Sequence, residues 1–283
     1  MSQPIAIVTG SNRGLGKQIA LELSKRRFLV VMACRNIQIS TPVCNEIKKI
    51  SDSDSVDLIE LDLSSIKSIH NFVQNFKEKY GHLNVLINNA SIISFKSGKT
   101  IDGLDKVMET NFFGPFLLTR LLIPLFTPGE ENRIVNLSSM IYPLGRFKWD
   151  KINDYKWLKS YAVSKYATLL FTLELAETLK DKGIMANAVH PGVVRTTIFS
   201  RKKWYENMIN TFLKSLLISV EEGARPVIYL AFSDEMKGKS GLYFYKLSEE
   251  AVSKKLNNPE TRKELISRTE DLMNKKWHSY ITI

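Results

Sequence analysis

Cysteine is scarce: the chain of 283 residues has only two, Cys34 and Cys44. Two thiols exclude a disulfide-stapled scaffold and fit a reducing compartment. Long apolar runs are missing too. No stretch reaches the roughly eighteen uncharged apolar residues that would span a bilayer. The opening Met1-Ser2-Gln3-Pro4 has no basic region ahead of a hydrophobic one. The expectation is a soluble, cytoplasmic protein with neither a signal peptide nor an N-terminal anchor. The four histidines, His70, His82, His190 and His278, fall at no metal-ligand spacing, so no metal is expected. No repeat, low-complexity tract or Pro/Gly/Ser-rich linker divides the chain, which reads as one domain.

What the chain has in excess is positive charge: 40 Lys and Arg against 29 Asp and Glu, a net +11 and a pI near 9.5. The cations are scattered and do not line one helix. That argues against nucleic acid and for a basic surface serving a phosphorylated small ligand. Peripheral contact with an anionic membrane is the lesser reading. With 44% hydrophobic and 24% charged residues, the composition is that of an ordinary soluble protein.

Ile5-Ala6-Ile7-Val8 is a β-branched apolar run of the kind found in a buried parallel strand. It enters Thr9-Gly10-Ser11-Asn12-Arg13-Gly14-Leu15-Gly16, after which Ile19 and Leu23 keep a helical period. Strand, glycine turn and helix follow in the order a phosphate-binding crossover requires. Glycines let the backbone approach a pyrophosphate, whose charge then sits at a helix N-terminus. A second strand, Phe28 to Ala33, ends at Cys34-Arg35-Asn36, where such a fold reads the adenosine ribose. No acid is present for a free 2′-hydroxyl, while Arg35, joined by Arg13, suits a 2′-phosphate; NADP(H) is therefore expected over NAD(H). Both arginines also read as surface cations. A third strand, Val56 to Leu61, closes on Asp62-Leu63. There the acid either accepts from the adenine amino group or caps the helix starting near Ser64-Ser65. The fourth, Val85 to Ile87, ends in Asn88-Asn89-Ala90, facing the ligand crevice or tying neighbouring strands together.

Downstream, Tyr161 and Lys165 stand four residues apart, on one face of a helix. A free phenol ionises near pH 10, and catalysis near neutrality needs that roughly three units lower, about 4 kcal/mol. A neighbouring ammonium supplies such a shift. Upstream lies the pair Ser138-Ser139.

Taken together these motifs resemble the classical short-chain dehydrogenase/reductase superfamily, from Thr9 to about Gly241. Thr9-Gly10-x-x-x-Gly14-x-Gly16 resembles its coenzyme turn. Asn88-Asn89-Ala90 resembles its Asn-Asn-Ala-Gly motif, with Ser91 in place of the final glycine. The resemblance implies an α/β fold, a single-domain Rossmann-type doubly wound parallel sheet with helices on both faces. The coenzyme half spans about 1–135, the catalytic half about 136–250 and a C-terminal helical tail about 251–283. It implies catalytic roles for Asn111, Ser139, Tyr161 and Lys165. Tyr161 exchanges the proton, Ser139 orients the reacting oxygen, Lys165 binds the nicotinamide ribose and lowers the Tyr161 pKa, and Asn111 holds a water. Coenzyme contacts are implied for Gly10, Ser11, Asn12, Arg13, Gly14, Leu15, Gly16, Arg35, Asn36, Asp62, Leu63, Asn89, Ala90, Tyr161 and Lys165. Pro191, Gly192, Val194 and Thr196, in the segment after the sixth strand, complete that set.

Further similarity, in Ala33-Cys34-Arg35-Asn36, His190-Pro191-Gly192-Val193-Val194-Arg195-Thr196 and Ser240-Gly241-Leu242-Tyr243-Phe244, points to retinol-dehydrogenase-type members. That implies a lipophilic aldehyde, ketone or alcohol as substrate, and no nucleic acid. The alternatives are a non-catalytic NADP(H)-sensing or scaffold protein and an epimerase or dehydratase of the extended branch. Tyr142, Phe147, Trp149, Tyr155 and Trp157 are expected to wall an apolar substrate pocket, or else to pack as a loop. The amphipathic stretch from Ile198 to Ser219 reads as a lid, or as a helix resting on a membrane surface. Helices over about Leu104–Phe126 and Tyr161–Leu179 have outer faces that permit a homodimer.

Overall fold

The computed structural model describes residues 3–94, 98–194, 217–253, 256 and 258–281. Strand β1 (Ile5–Thr9) is buried along its whole length, and its side chains alternate between two cores. Ile5 and Ile7 join one hydrophobic cluster, Ala6 and Val8 the other. A strand with no wet face must lie inside a sheet covered on both sides. Seven parallel strands run in the order β3 (Val56–Glu60), β2 (Leu29–Cys34), β1, β4 (Val85–Asn88), β5 (Asn132–Leu137), β6 (Ile184–His190) and β9 (Tyr243–Tyr245). An antiparallel edge strand, β10 (Ser248–Glu250), pairs with β9. A separate two-stranded parallel pair joins β7 (Val193–Val194) to β8 (Leu217–Ile218).

Helices α1 (Gly14–Lys25), α2 (Ile37–Ser51) and α7 (Val220–Phe232) cover one face through Ile19, Leu23, Ile47 and Val227. The other face carries α3 (Ile66–Tyr80), α5 (Gly114–Leu122), α6 (Trp157–Thr178) and α8 (Pro259–Ile281). Phe72, Phe76, Phe116, Leu170, Leu265 and Met273 fill that side. Local chemistry sets the helix ends. Asn36 accepts from Ile39 N at 3.0 Å to open α2, Ser65 accepts from Ser68 N at 3.2 Å to open α3, and Ser219 and Glu222 form a capping box on α7.

Two departures bear on the site. The helix expected over 104–126 is broken. A short α4 (Lys106–Met108) passes through a π turn (Glu109–Phe113) into α5. Gly114 at the junction lies so close to the β3–α3 loop that a Cβ would come within 2.1 Å of the Leu63 carbonyl. The wider turn accommodates that approach, and such π bulges collect at functional sites. Second, the tail helix α8 is docked. It packs on α3 and α6, Arg120 of α5 pairs with Glu270, and Arg262 lies between Glu174 and Glu177 of α6 at 3.4 and 2.5 Å. His70 of α3 stacks on Trp277 with ring centroids 3.6 Å apart. The face that permits a homodimer is thus shared with the chain's own tail. Among the described residues no helix is long and apolar enough to cross a membrane.

Candidate active site

The strand order turns back between β1 and β4, and their C-terminal ends open a crevice of the kind that holds ligands in doubly wound sheets. One side is the glycine turn. Gly10 has φ +65° and its N–H donates to the Ala33 carbonyl at 2.8 Å. Asn89 Nδ2 donates to the carbonyls of Thr9 and Gly10 at 2.8 and 3.3 Å, while Thr9 Oγ1 accepts from the N–H groups of Asn89 and Ala90, each at 3.0 Å. A Cβ on Gly16 would stand 2.4 Å from the Gly10 carbonyl and 2.5 Å from Asn89 Nδ2. Asn89 is therefore a strut locking β4 to the turn, which realises the strand-tying reading of the asparagine pair. Asn88 does the same deeper down, donating to Thr119 Oγ1 and Asn136 Oδ1 at 3.0 and 2.8 Å.

Whether this turn suits a dinucleotide can be tested on its amides. Helix α1, like α5 and α6, has no side-chain cap, and it has no acid in its first turn. Its leading N–H groups and positive dipole end face the crevice without a side-chain acceptor, as a pyrophosphate would require. The residues fit the group. Ser11 is buried with its Oγ 3.5 Å from Cys34 Sγ, Leu15 is buried, and Asn12 and Gly14 are half-buried. Arg13 and Arg35 are both exposed, and neither forms an ion pair among the described residues. Asn36 is committed to capping α2. Asp62 Oδ1 accepts from Ser64 N and Oγ at 2.9 and 2.6 Å, an Asx turn, and the α3 cap falls to Ser65 instead. Leu63 is buried beneath Gly114.

The second cluster forms where α6 crosses the ends of β5 and β6. Lys165 is buried, with Nζ donating to the Leu137 carbonyl at 2.8 Å and lying 5.6 Å from the Tyr161 ring centroid. The two serines separate cleanly. Ser138 Oγ reaches the Lys165 carbonyl at 3.5 Å, whereas Ser139 faces the Tyr161 hydroxyl. The expected acid shift of the phenol is corrected here. Burial raises the Tyr161 pKa above its ordinary value, and hydrogen bonding from Ser139 and Ser91 pulls against it. Burial likewise pushes the Lys165 pKa down to about 7. His190, at the end of β6, is pushed down to about 4 by burial and by the charges of Lys165 and Lys246.

Asn111 sits in the π turn with its side chain fully engaged. Nδ2 donates to the Ile92 carbonyl at 2.9 Å and to Ser164 Oγ at 3.2 Å, and Oδ1 accepts from Ile92 N at 2.8 Å. The side chain expected to hold a water instead braces the segment after β4. Its backbone carbonyl accepts from Thr168 Oγ1 at 3.4 Å, and Pro115, four residues on, has no N–H to donate to it. Beside it Glu109 is wholly buried, with no well-formed hydrogen bond on either oxygen.

Other expectations divide. Tyr142 packs edge-on against Tyr243, Tyr155 hydrogen-bonds the backbone of Arg146 and Lys148, and Phe147 meets both Trp149 and Phe112 edge-on. Tyr142 and Tyr155 are buried and Phe147 and Trp149 are half-buried against the same core, which favours the packed-loop reading. The reason is that α8 closes over the loop, with Arg268 lying 4.6 Å over the Trp149 ring. Pro191, Gly192 (φ +104°) and Val194 lie at the C-terminal end of β6, on the crevice side of the sheet. Thr196 and the stretch from Ile198 to residue 216 lie outside the described residues. Sequence reasoning gave no role to Ser91, Thr9 Oγ1 or Glu109. An acid at position 109 amid Val107, Met108, Phe112 and Phe113 was the available signal for the last.

Fold and site together define a dinucleotide-binding α/β protein. A model of the short chain dehydrogenase family matches residues 4–207. Retinol dehydrogenase 13 of Mus musculus is 34% identical over 268 residues, covering 92% of this chain and 80% of that protein. Retinol dehydrogenase 11 of the same organism is 36% identical over 246 residues, covering 85% and 77%. Polyprenol dehydrogenase of Homo sapiens is 35% identical over 255 residues, covering 87% and 77%. The crystal structure of an uncharacterized protein from Mycobacterium Paratuberculosis superposes with a TM-score of 0.76 at 27% identity, covering 96% of this chain and 94% of that one. Salutaridine reductase from Papaver somniferum shares the fold, with a TM-score of 0.68 at 22% identity over 86% and 99% of the two chains. The chain belongs to the short-chain dehydrogenase family, in its retinol-dehydrogenase-like subgroup, and is an oxidoreductase using a nicotinamide dinucleotide.

Proposed function

We propose that the protein interconverts a lipophilic aldehyde or ketone and its alcohol, with NADP(H) as hydride carrier and Tyr161 as acid–base group. The observation that carries this reading is the convergence of Tyr161, Ser139 and Lys165 beside the crevice at β1 and β4. When bound, the coenzyme supplies or receives the hydride. In reduction Tyr161 gives its proton to the carbonyl oxygen. Burial keeps the phenol protonated at neutral pH, the form that reduction requires. Ser139 hydrogen-bonds the same oxygen and orients it. With the coenzyme bound, Lys165 would contact the nicotinamide ribose, and Asn111 would hold the water that returns a proton to the site.

The choice of NADP(H) rests on Arg13 and Arg35, two exposed cations at the adenosine end with no acid to accept from a 2′-hydroxyl. The lipophilic substrate class rests on the names of the relatives. A cytoplasmic enzyme working mainly as a reductase is part of the same reading. Its test is a screen of NADPH oxidation over aliphatic, aromatic and retinoid carbonyls, run beside Tyr161→Phe. Turnover should fall at least about a thousandfold in the variant while NADPH still binds, the scale expected for removal of a general acid. Near-normal turnover in Tyr161→Phe would refute the assignment.

A further inference from the structure

Ser164 lies between the helix that carries Tyr161 and the π turn that carries Asn111, and its hydroxyl is used in both directions. Its Oγ donates to the Tyr161 carbonyl at 2.7 Å, a back-bond of the kind serines make inside helices. With its proton spent there, the oxygen has only lone pairs to offer, and Asn111 Nδ2 donates to them at 3.2 Å. Thr168, one turn along α6, adds a second hold. Its Oγ1 donates to the Ser164 carbonyl at 2.9 Å and to the Asn111 carbonyl at 3.4 Å. Ser164 is 0% and Asn111 3% exposed, so a contact broken here is not made good by bulk solvent.

The donor sense of Ser164 also fixes which way the Asn111 amide points. Nδ2 faces two acceptors, Ser164 Oγ and the Ile92 carbonyl at 2.9 Å, while Oδ1 accepts from Ile92 N at 2.8 Å. Turning the amide over would set Oδ1 against both acceptors and Nδ2 against an N–H. In the orientation that Ser164 selects, Asn111 clamps Ile92 through both of its backbone groups. A few residues earlier on the same loop, Asn89 and Ala90 donate to Thr9 Oγ1 at 3.0 Å each. A braced path thus runs from the glycine turn, along the loop after β4, through Asn111 to Ser164. It reaches α6 at the carbonyl of Tyr161 itself.

We propose that Ser164 is a positioning residue for the reaction. Its hydroxyl holds Asn111, and through Asn111 it fixes the turn of α6 that carries Tyr161 against the loop beside the glycine turn. A reacting group displaced by about 1 Å loses rate far out of proportion to any loss of binding. The effect therefore falls on the chemical step and not on coenzyme affinity, which the glycine turn supplies. This assignment rests on the proposed reading of Tyr161 as the acid–base group.

The test compares Ser164→Ala, Ser164→Cys and Ser164→Thr in the full-length protein. Alanine removes the acceptor, cysteine keeps the shape with a weak one, and threonine keeps the hydroxyl. In NADPH-dependent carbonyl reduction the first two should lower kcat at least about tenfold, with KM and the NADPH Kd within about twofold. Ser164→Thr should stay within about threefold of the parent. Full activity in Ser164→Ala or Ser164→Cys overturns the proposal, as does a Ser164→Thr as slow as Ser164→Ala. A loss shared equally by the NADPH Kd also overturns it, since the fold as a whole would then have loosened. In a cycle with Asn111→Ala, the double variant should be no slower than Asn111→Ala alone; losses that multiply would show that Ser164 does not act through Asn111. A second measurement needs no turnover. Hydrogen exchange at the Ile92 amide should quicken about tenfold in Ser164→Ala and return to the parent rate in Ser164→Thr, with the amides of β1 unchanged. An Ile92 amide that exchanges at the parent rate in Ser164→Ala overturns the clamp. If no carbonyl is reduced, the functional reading falls while this exchange still decides whether Ser164 holds Asn111.

Discussion

Glu109 offers the sharpest quantitative check on the electrostatics of this fold. It is 0% exposed, sits in the π turn that holds Asn111, and has its pKa pushed up to about 9. Burial is the largest cause; the neighbouring acids Asp102 and Asp62 add to it, and Thr100 opposes. The carboxyl ionises near 4.5 when exposed. It is therefore protonated in both states at low pH, where its contribution to stability is fully present. Between about pH 5 and about pH 9 only the folded state holds the proton, so stability drains away as pH rises. One proton gives a limiting slope of about 1.4 kcal/mol per pH unit, or about 2–3 kcal/mol between about pH 6 and about pH 8. Glu109→Gln keeps the shape and the hydrogen-donating character of the protonated acid but cannot ionise. Urea melts at the two pH values should show the variant gaining stability relative to the parent by that amount on going to higher pH. Other titrating groups cancel in this difference. A parent and variant with parallel pH dependence would show that Glu109 is ionised in the folded protein, and the account of its burial would fail.

Three further outcomes follow from the geometry. Gly16→Ala places a Cβ 2.4 Å from the Gly10 carbonyl, so NADPH affinity, read by fluorescence, should weaken at least about tenfold with a lowered melting temperature; an unchanged Kd would mean that the turn is not the coenzyme seat. Arg35→Asp should weaken NADPH at least about tenfold while leaving NADH within a fewfold, and equal losses for both would remove Arg35 as the phosphate contact. Arg262→Ala leaves Glu174 buried without its cation and should cost about 3–5 kcal/mol in chemical denaturation, whereas a loss under about 1 kcal/mol would mean that this ion pair does not hold α8 in place.

Much of this architecture was legible because each level of the sequence agrees with the next. Ile5 to Val8 could only be a buried strand, Gly10, Gly14 and Gly16 could only be a tight turn, and the four strands of the first third fall within a residue or two of their expected ends. What failed did so where a long-range contact overrode a local pattern. The helix expected over 104–126 breaks because Gly114 must approach Leu63, and nothing within that helix reveals the loop it meets. The aromatics from Tyr142 to Tyr155 looked like pocket walls because their partners, Phe112, Tyr243 and Arg268, are far away in sequence. The tail read as helical, but its docking over α3, α5 and α6 depends on pairs such as His70 with Trp277 that no periodicity discloses.

The same distinction explains the site. Tyr161 and Lys165 announce themselves by their spacing, and spacing suggested that the amine would make the phenol acidic. Spacing carries no information about water. Once both groups are buried, desolvation favours the uncharged form of each, raising the phenol and lowering the amine, and the pair moves together toward neutrality. The groups that do oppose burial at Tyr161 are hydroxyls, which bring no desolvation penalty of a second charge and can turn their hydrogens toward the phenolic oxygen as charge develops there. At this tyrosine burial is the larger effect, and the nearby hydroxyls only partly oppose it.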